Sequence, residues 1–277
     1  MPESFLRPER AIAQTPPSPR RYGAVNWLGL WTLTSRETRR FFKVRGQTVM
    51  APVVTTLLML AVFALALGGA VRQVAGIPFP EFLAPGLIMM AMVQNAFANT
   101  SSSLMISKMQ GNIVDSLMPP LSATELTLGF ALGGVIRGLV VGVVVAGCLL
   151  PFVTIHIHHV GFILFHALAA SLLLSLLGVA GAVWADKVDH VAAVTNFVVS
   201  PLAFLSGTFY TIDRLPQPWH LLALWDPFFY MIDGFRYGFI GHADGDLAIG
   251  LAVLTSANVG LFALCHWMFR TGYKLRA

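Results

Sequence analysis

Side chains capable of chemistry are few within the apolar stretches of this 277-residue chain, and their spacing is regular. Asn95 and Asn99 stand four residues apart with Gln94 and Ser102 close by, and Asn196 and Ser200 repeat the spacing further on. On a helix, residues four apart share a face. Amides and hydroxyls in hydrocarbon must find partners or water, so these faces look inward, either toward a solute pathway or toward another helix. Arg137 lies roughly 15 Å into an apolar run, at a depth where a charge costs at least ~2.5 kcal/mol. It must face protein or water. It binds either carbonyls or the C-terminal end of a neighbouring helix, or else an anionic lipid or substrate headgroup.

Other chemistries find less support. His156, His158 and His159 have metal-ligand chemistry but no fourth ligand nearby, so no metal site is expected. His166, His266, Cys148 and Cys265 stand singly in apolar runs and read as core residues. None of the long apolar segments contains Asp or Glu, which disfavours proton- or sodium-coupled transport. The chain has no G-x-x-x-x-G-K-[ST] phosphate loop, so it is not expected to hydrolyse ATP or to be an enzyme. It also has neither a potassium-filter sequence nor a ring-forming acidic segment for a selective channel. Energy, if used, comes from a partner.

The elements that position these residues follow from composition. With 56% hydrophobic and only 11% charged residues, the chain has too little polar surface for a soluble globule. The net charge of +5 sits between apolar blocks, where it orients a membrane protein, and no nucleic-acid partner is expected. Segments able to cross ~30 Å of hydrocarbon at 1.5 Å per residue recur near 48–70, 82–106, 127–152, 160–184, 191–212 and 247–269. The fold class is therefore an all-α membrane protein of six spans. Residues 1–22, rich in Pro and Arg, read as a disordered tail. Residues 23–46 read as an amphipathic helix in the cytoplasmic interface, with Trp27, Leu30, Leu33, Phe41 and Val44 on its apolar stripe. Arg36, Arg39, Arg40 and Lys43 gather on another face, and Glu37 falls inside the stripe. Either a protein partner covers that carboxylate or it snorkels to headgroups.

Most of the 18 Lys and Arg lie in the N-terminal segment, at Lys108 and Lys187, and at Arg270, Lys274 and Arg276, which places both termini in the cytoplasm. Arg72, Arg214 and Arg236 fall outside. A seventh span at 219–241 would bury Asp226, Asp233 and Arg236 with Pro227 mid-span, and would put the basic C-terminus outside. The stretch 213–246 is expected instead to be a re-entrant pair of short helices in the outer leaflet, with Asp226 open to an aqueous reagent. Its aromatic residues, Trp219, Trp225, Phe228, Tyr230, Phe235 and Tyr237, suit an interface. Gly129, Gly133, Gly134, Gly138 and Gly142 place small residues along the third span, which allows close helix contact.

Several motifs together resemble the type-2 ABC transporter permeases, in particular the bacterial YadH-like group. They are RETRRF at 36–41, PGLIMM at 85–90 followed by QNAFANTSSS, KMQGNIVDSLMPPLSATELTLG at 108–129, and SPLAFLSGTFY with DPFFYMIDGFRYGFIG at 200–241. The resemblance runs from about residue 25 to the C-terminus and makes 47–277 one six-span permease domain. It implies a bacterial inner-membrane half-transporter that pairs with a second copy of itself and two copies of a cytoplasmic ATPase. That ATPase would bind the ATP and Mg, and this chain would carry no cofactor. The resemblance further implies a coupling helix within 107–126, with Lys108, Gln110, Asn112, Asp115, Pro119 and Glu37 as coupling residues. It places the second and fifth spans on the dimer pathway, with Gln94, Asn95, Asn99, Asn196 and Ser200 as contacts. Phe209, Tyr210, Phe228 and Tyr230 would form an outer gate.

Beside this, Pro119-Pro120 stops a short helix, and Ser122 with Glu125 three residues on is a capping box for the next. Three function classes compete. They are an exporter subunit moving an amphiphilic, lipid-like or drug-like molecule outward by alternating access, a non-transporting membrane anchor or regulator for an ATPase, and an ATP-independent channel or scramblase. Flux through this chain alone would favour the last.

Overall fold

A computed structural model describes residues 23–43, 45–67, 73–74, 76–212 and 216–275. The expectations for residues 1–22, Val44, Arg72, Arg214 and Arg276 lie outside the described residues. The elements are α1 (Trp27–Lys43), α2 (Arg45–Leu67), a two-residue antiparallel pair β1 (Gln73–Val74) and β2 (Ile77–Pro78), and α3 (Phe79–Met109). Then come α4 (Val114–Leu117), α5 (Ala123–Leu149), α6 (Val160–Trp184), α7 (Val188–Val194) and a π-helical turn at Thr195–Val199. The chain ends with α8 (Ser200–Leu205), α9 (Trp219–Trp225), α10 (Pro227–Ile240) and α11 (Leu247–Thr271). Six helical stretches are long and apolar enough to cross a membrane: α2, α3, α5, α6, α7 through α8, and α11.

Burial ranks them. Of an apolar 18-residue segment of each, 78% is buried within the chain for α3, against 22% for α2 and 11% each for the α7–α8 stretch and α11. Helix α3 is thus the axis, and the others turn apolar faces outward. The glycines of α5 allow its neighbours to come close, on two faces. Toward α1, a Cβ on Gly129 would stand 2.5 Å from Leu33, and one on Gly133 would stand 2.5 Å from the Cβ of Glu37. Toward α3 and α6, a Cβ on Gly134 would meet the Ser175 hydroxyl and stand 2.9 Å from the Ala96 carbonyl, and one on Gly138 would lie 3.0 Å from the Met92 carbonyl. Such backbone approach lets hydroxyls bond across helices where water cannot reach. Thr100 donates to Ser175 O at 2.9 Å, and Ser175 donates to Ala131 O at 2.7 Å, tying α3 to α6 and α6 to α5.

Local signals explain the ends. Ser122 Oγ accepts from Glu125 N–H at 3.3 Å, while Glu125 Oε2 accepts from Ser122 N–H at 2.6 Å, a complete capping box that starts α5 earlier than its apolar run. The sixth segment begins at Asp246, whose carboxylate accepts from Ala248 and Ile249 N–H. The fifth apolar run continues to residue 212, but helix α8 stops at Leu205 because Gly207 takes a left-handed φ of +73°. The chain then folds inward, leaving Ser206 and Thr208 buried. Helix α1 buries Leu30, Leu33 and Phe41 as its stripe requires, but Trp27 is 71% exposed. Asn26 docks in its place, sending its Nδ2–H to Pro120 O at 3.1 Å and its backbone N–H to Glu125. Near the last helix, Lys274 bonds Asp186 at 2.8 Å and holds that carboxyl below the usual carboxylate range.

The glycine contacts predict an asymmetric result. Replacing Gly134 by Leu should destabilise the detergent-solubilised protein by about 3 kcal/mol, the upper part of the overpacking range. Gly147 has no atom within 4 Å of an added Cβ, so Gly147→Leu should leave thermal unfolding unchanged or slightly delayed. Equal stability of the two variants would contradict the close packing of α5.

Candidate functional site: a polar cleft along α3

Two cavities open on α3 and share Gln94 and Asn95. The first, of about 370 Å³, lies between α2, α3 and α5 and is lined by Thr48, Thr55, Thr56, Arg137 and Phe209 beside those amides. The second, of about 550 Å³, lies between α3 and the α7–α8 stretch, with Ser101, Ser102, Thr195 and Ser200 among its polar walls. A third, of about 870 Å³, sits between α1 and the end of α3, where Arg36, Arg39, Arg40 and Lys43 face Glu37 and Asp115. Polar groups in an apolar bundle that open onto cavities rather than solely onto each other are fitted to meet water or a solute.

The amides have unequal parts. Asn95 donates to Ala91 O at 2.9 Å, which leaves its Oδ1 to accept from the Arg137 guanidinium at 3.0 Å. Arg137 therefore binds a side-chain amide rather than a carbonyl or a helix end. Asn99 is wholly buried and lines neither shared cavity, and its O and Oδ1 accept from Arg40 at 2.7 and 3.1 Å. It anchors α1 to α3. On the fifth stretch, Ser200 reaches the second cavity but Asn196 is exposed on another face. The π turn causes this, because Ser200 N–H bonds Thr195 O five residues back, so Thr195 takes the place that α-helical spacing assigns to Asn196. Thr195 and the threonines of α2 were missed in the sequence; a threonine in an apolar run carries too weak a polar signal to single it out.

Among the residues expected to couple, Glu37 is 1% exposed, held by Arg36 at 3.2 Å and Arg40 at 3.4 Å. Its cover is α5 of its own chain, at Gly133, and it does not snorkel. Lys108 donates to the carbonyls of Val183 and Ala185 at 2.8 and 2.6 Å and closes the end of α6. Gln110, Asn112, Asp115 and Pro119 are exposed around α4, and Ser116 is buried and receives Arg36 at 3.0 Å. Helix α1 and the α3–α5 loop are thereby bolted together.

At the other end, α9 and α10 meet at Asp226-Pro227. Asp226 is 2% exposed, accepting from Ser206 Oγ and Phe228 N–H at 2.9 Å each, so it is closed to an aqueous reagent. Its neighbour Trp225, 86% exposed, is the reachable position. Arg236 is fully buried rather than a flanking surface charge. It donates to Gly207 O at 2.6 Å, lies 3.9 Å from Asp244 Oδ2 and sits 3.9 Å above the Phe82 ring. Asp233 joins the cluster by accepting from Asp244 and Gly245 N–H at 2.7 and 3.0 Å. Of the gate aromatics, Phe209 lines the first cavity and stacks on Phe63 at 4.4 Å. Tyr210 bonds Leu205 O at 2.9 Å, and Phe228, Tyr230 and Phe235 are buried in the core, leaving Trp219 and Trp225 as the exposed rings of the hairpin. The three histidines diverge: His156 stands 3.8 Å from Glu81, His158 packs on Tyr237, and His159 caps α6.

The sequence model of the ABC-2 type transporters matches residues 29–240, from α1 to the end of α10. The chain belongs to that family. Inner membrane transport permease YadH of Escherichia coli (strain K12) is 35% identical over 251 residues, covering 91% of this chain and 98% of that protein. Nodulation protein J of Rhizobium leguminosarum bv. viciae is 24% identical over 237 residues, covering 84% of this chain and 89% of its own length. This ABC-2 chain is therefore a multi-pass membrane transport protein. The cleft along α3, the loop around α4 and Arg236 itself lie within the family match, while Asp244 and Gly245 of the arginine's cluster lie just beyond it.

Arg236 gives a prediction with a sign. Arg236→Gln removes the guanidinium from the Asp233 and Asp244 carboxylates, leaving Asp244 its contact with His242 at 3.0 Å, and should destabilise the protein by about 3–5 kcal/mol. Arg236→Lys should recover part of the loss, because it restores charge without the guanidinium reach to Gly207. Thermal unfolding of the three proteins decides it; wild-type stability for Arg236→Gln would remove the cluster from the account.

Proposed function

We propose that this chain is the membrane subunit of an ATP-driven exporter in a bacterial inner membrane. It works as a homodimer with two copies of a separate cytoplasmic ATPase that binds ATP and Mg. The substrate is an amphiphilic or lipid-like molecule, moved outward by alternating access. The observation that carries this reading is the pair of cavities meeting at Gln94 and Asn95 on α3, in an otherwise apolar bundle whose family consists of transporters. A non-transporting anchor has no use for two cavities that meet at amide side chains on its most buried helix.

The remaining parts take roles in that reading. Both termini are cytoplasmic, with α1 lying along the interface as a connecting helix. Asp115, Gln110, Asn112 and Pro119, exposed around α4, meet the ATPase, while Glu37 and Lys108 position that surface from behind. Helices α9 and α10 form a re-entrant hairpin in the outer leaflet, and Phe209 closes the first cavity from that side. The hydrogen bond from Arg36 to Ser116 supports transmission between the loop and α1.

The test is co-reconstitution of the chain with its ATPase in vesicles carrying a fluorescent amphiphile. Flux should require ATP, and Asp115→Ala should lower ATP-driven flux about tenfold or more, as expected for an interface residue worth over 1.4 kcal/mol. Flux without the ATPase would replace this reading by an autonomous channel or scramblase. ATPase binding with no flux would replace it by an anchor.

A further inference from the structure

We propose that the cavity between α2, α3 and α5 binds the anionic headgroup of an amphiphile, a phosphate or carboxylate oxyanion, on Arg137. This rests on the transport reading above and narrows its substrate class.

Arg36, Arg40 and Arg236 each have a carboxylate of the same chain at 3.9 Å or nearer. Arg236 faces Asp244 with Asp233 close by, and Arg36 and Arg40 share Glu37. Arg137, in the middle of α5, has no ion pair among the described residues. It gives one N–H to Asn95 Oδ1, and its buried Nε has no hydrogen-bond partner among the described residues. A guanidinium in apolar surroundings with open donors and no counter-charge calls for an anion, and its planar fork suits two oxygens of one oxyanion.

The cavity matches that ligand at both ends. Thr55, Thr56 and Gln94 line the same cavity as the guanidinium with hydroxyl and amide groups, and among the described residues no carboxylate lines it. Met59, Leu87, Met90 and Phe209 supply the apolar wall that a hydrocarbon chain would follow. A zwitterionic headgroup would bring a cation toward Arg137 with nothing to receive it. The basic cavity beside α1 offers a first stop, and Arg40 links it to Asn99, one helical turn from Asn95. An anionic lipid of the bilayer and a water-soluble anionic amphiphile share this chemistry.

The experiment measures binding to the full chain in phosphatidylcholine nanodiscs without ATPase or ATP. One arm uses a fluorescent phosphatidate, and the other uses dodecyl phosphate added from water. Each is compared with its phosphocholine-headed counterpart. Wild type should prefer the phosphate-headed probe about tenfold or more, the size of one charge-assisted hydrogen bond. Arg137→Gln, which can keep the contact with Asn95, should abolish the preference, and Arg137→Lys should keep part of it. Preference in both arms assigns the site to the headgroup whatever its source, and preference for phosphatidate alone assigns it to a bilayer lipid. If Arg137→Gln fails to fold, Met90→Trp fills the cavity with Arg137 intact and should remove the same preference. Equal binding of both headgroups by wild type overturns the proposal, as does a preference that survives either variant. ATP-driven flux of a neutral amphiphile with no anionic preference would sink this inference while leaving the transport reading standing.

Discussion

The arrangement depends on the missing side chains of α5. Gly129 and Gly133 let α1 lie directly on the helix, and Gly134, Gly138 and Gly142 let α3 and α6 do the same from the other side. Lipid tails are as apolar as leucine, so helices in a bilayer gain little from burial alone and rely on close packing and interhelical hydrogen bonds. The glycine faces supply both. They bring Ser175 within reach of Ala131 O, and they bring α3 close enough for Asn95 to meet Arg137. The polar cleft is thus a product of the packing that holds the bundle together.

Charge compensation sets the second level. Helix α1 is fixed by a carboxylate between two guanidiniums and by Arg40 on Asn99, and the turn after α8 is fixed by Arg236 on Gly207. Both are rigid because breaking either leaves a buried charge alone. They lie at opposite ends of the match to the transporter family, one beside the exposed loop around α4, the other beside Phe209 at the first cavity. Hydrogen bonds join α4 to α1 through Arg36 and Ser116, and α1 to α3 through Arg40 and Asn99. Of Arg36, Arg40, Arg137 and Arg236, Arg137 alone has no carboxylate partner among the described residues, and it lines the first cavity.

Much of this was legible in the sequence. Six apolar runs with charged flanks, the Ser122 and Glu125 box and the glycine repeat follow from hydropathy, capping and spacing, all local properties. What was hidden depends on distant partners or on irregular backbone. The burial of Arg236 needs Gly207 and Asp244, and nothing in the hairpin's own sequence separates a compensated core arginine from a surface one. The i,i+4 rule failed at Asn196 because a π turn rotates the face, and a π turn leaves no compositional mark. Asn99 has the right type and spacing for a pathway residue but is taken by Arg40 from another helix. Phe228, Tyr230 and Phe235 look interfacial by residue type, yet α10 turns them into the core, with Tyr230 against Gly250 of α11.

The central claim is that the polar face of α3 lines a water-accessible route and does not serve only as helix-to-helix glue. Substituted-cysteine labelling tests it most directly, with a hydrophilic, membrane-impermeant thiol reagent applied to both sides of the membrane. Gln94→Cys and Ser102→Cys should label, while Leu104→Cys, at a position with no exposed surface on the same helix, should stay silent. Silence at both Gln94→Cys and Ser102→Cys in folded protein would contradict the account and leave α3 a purely structural axis.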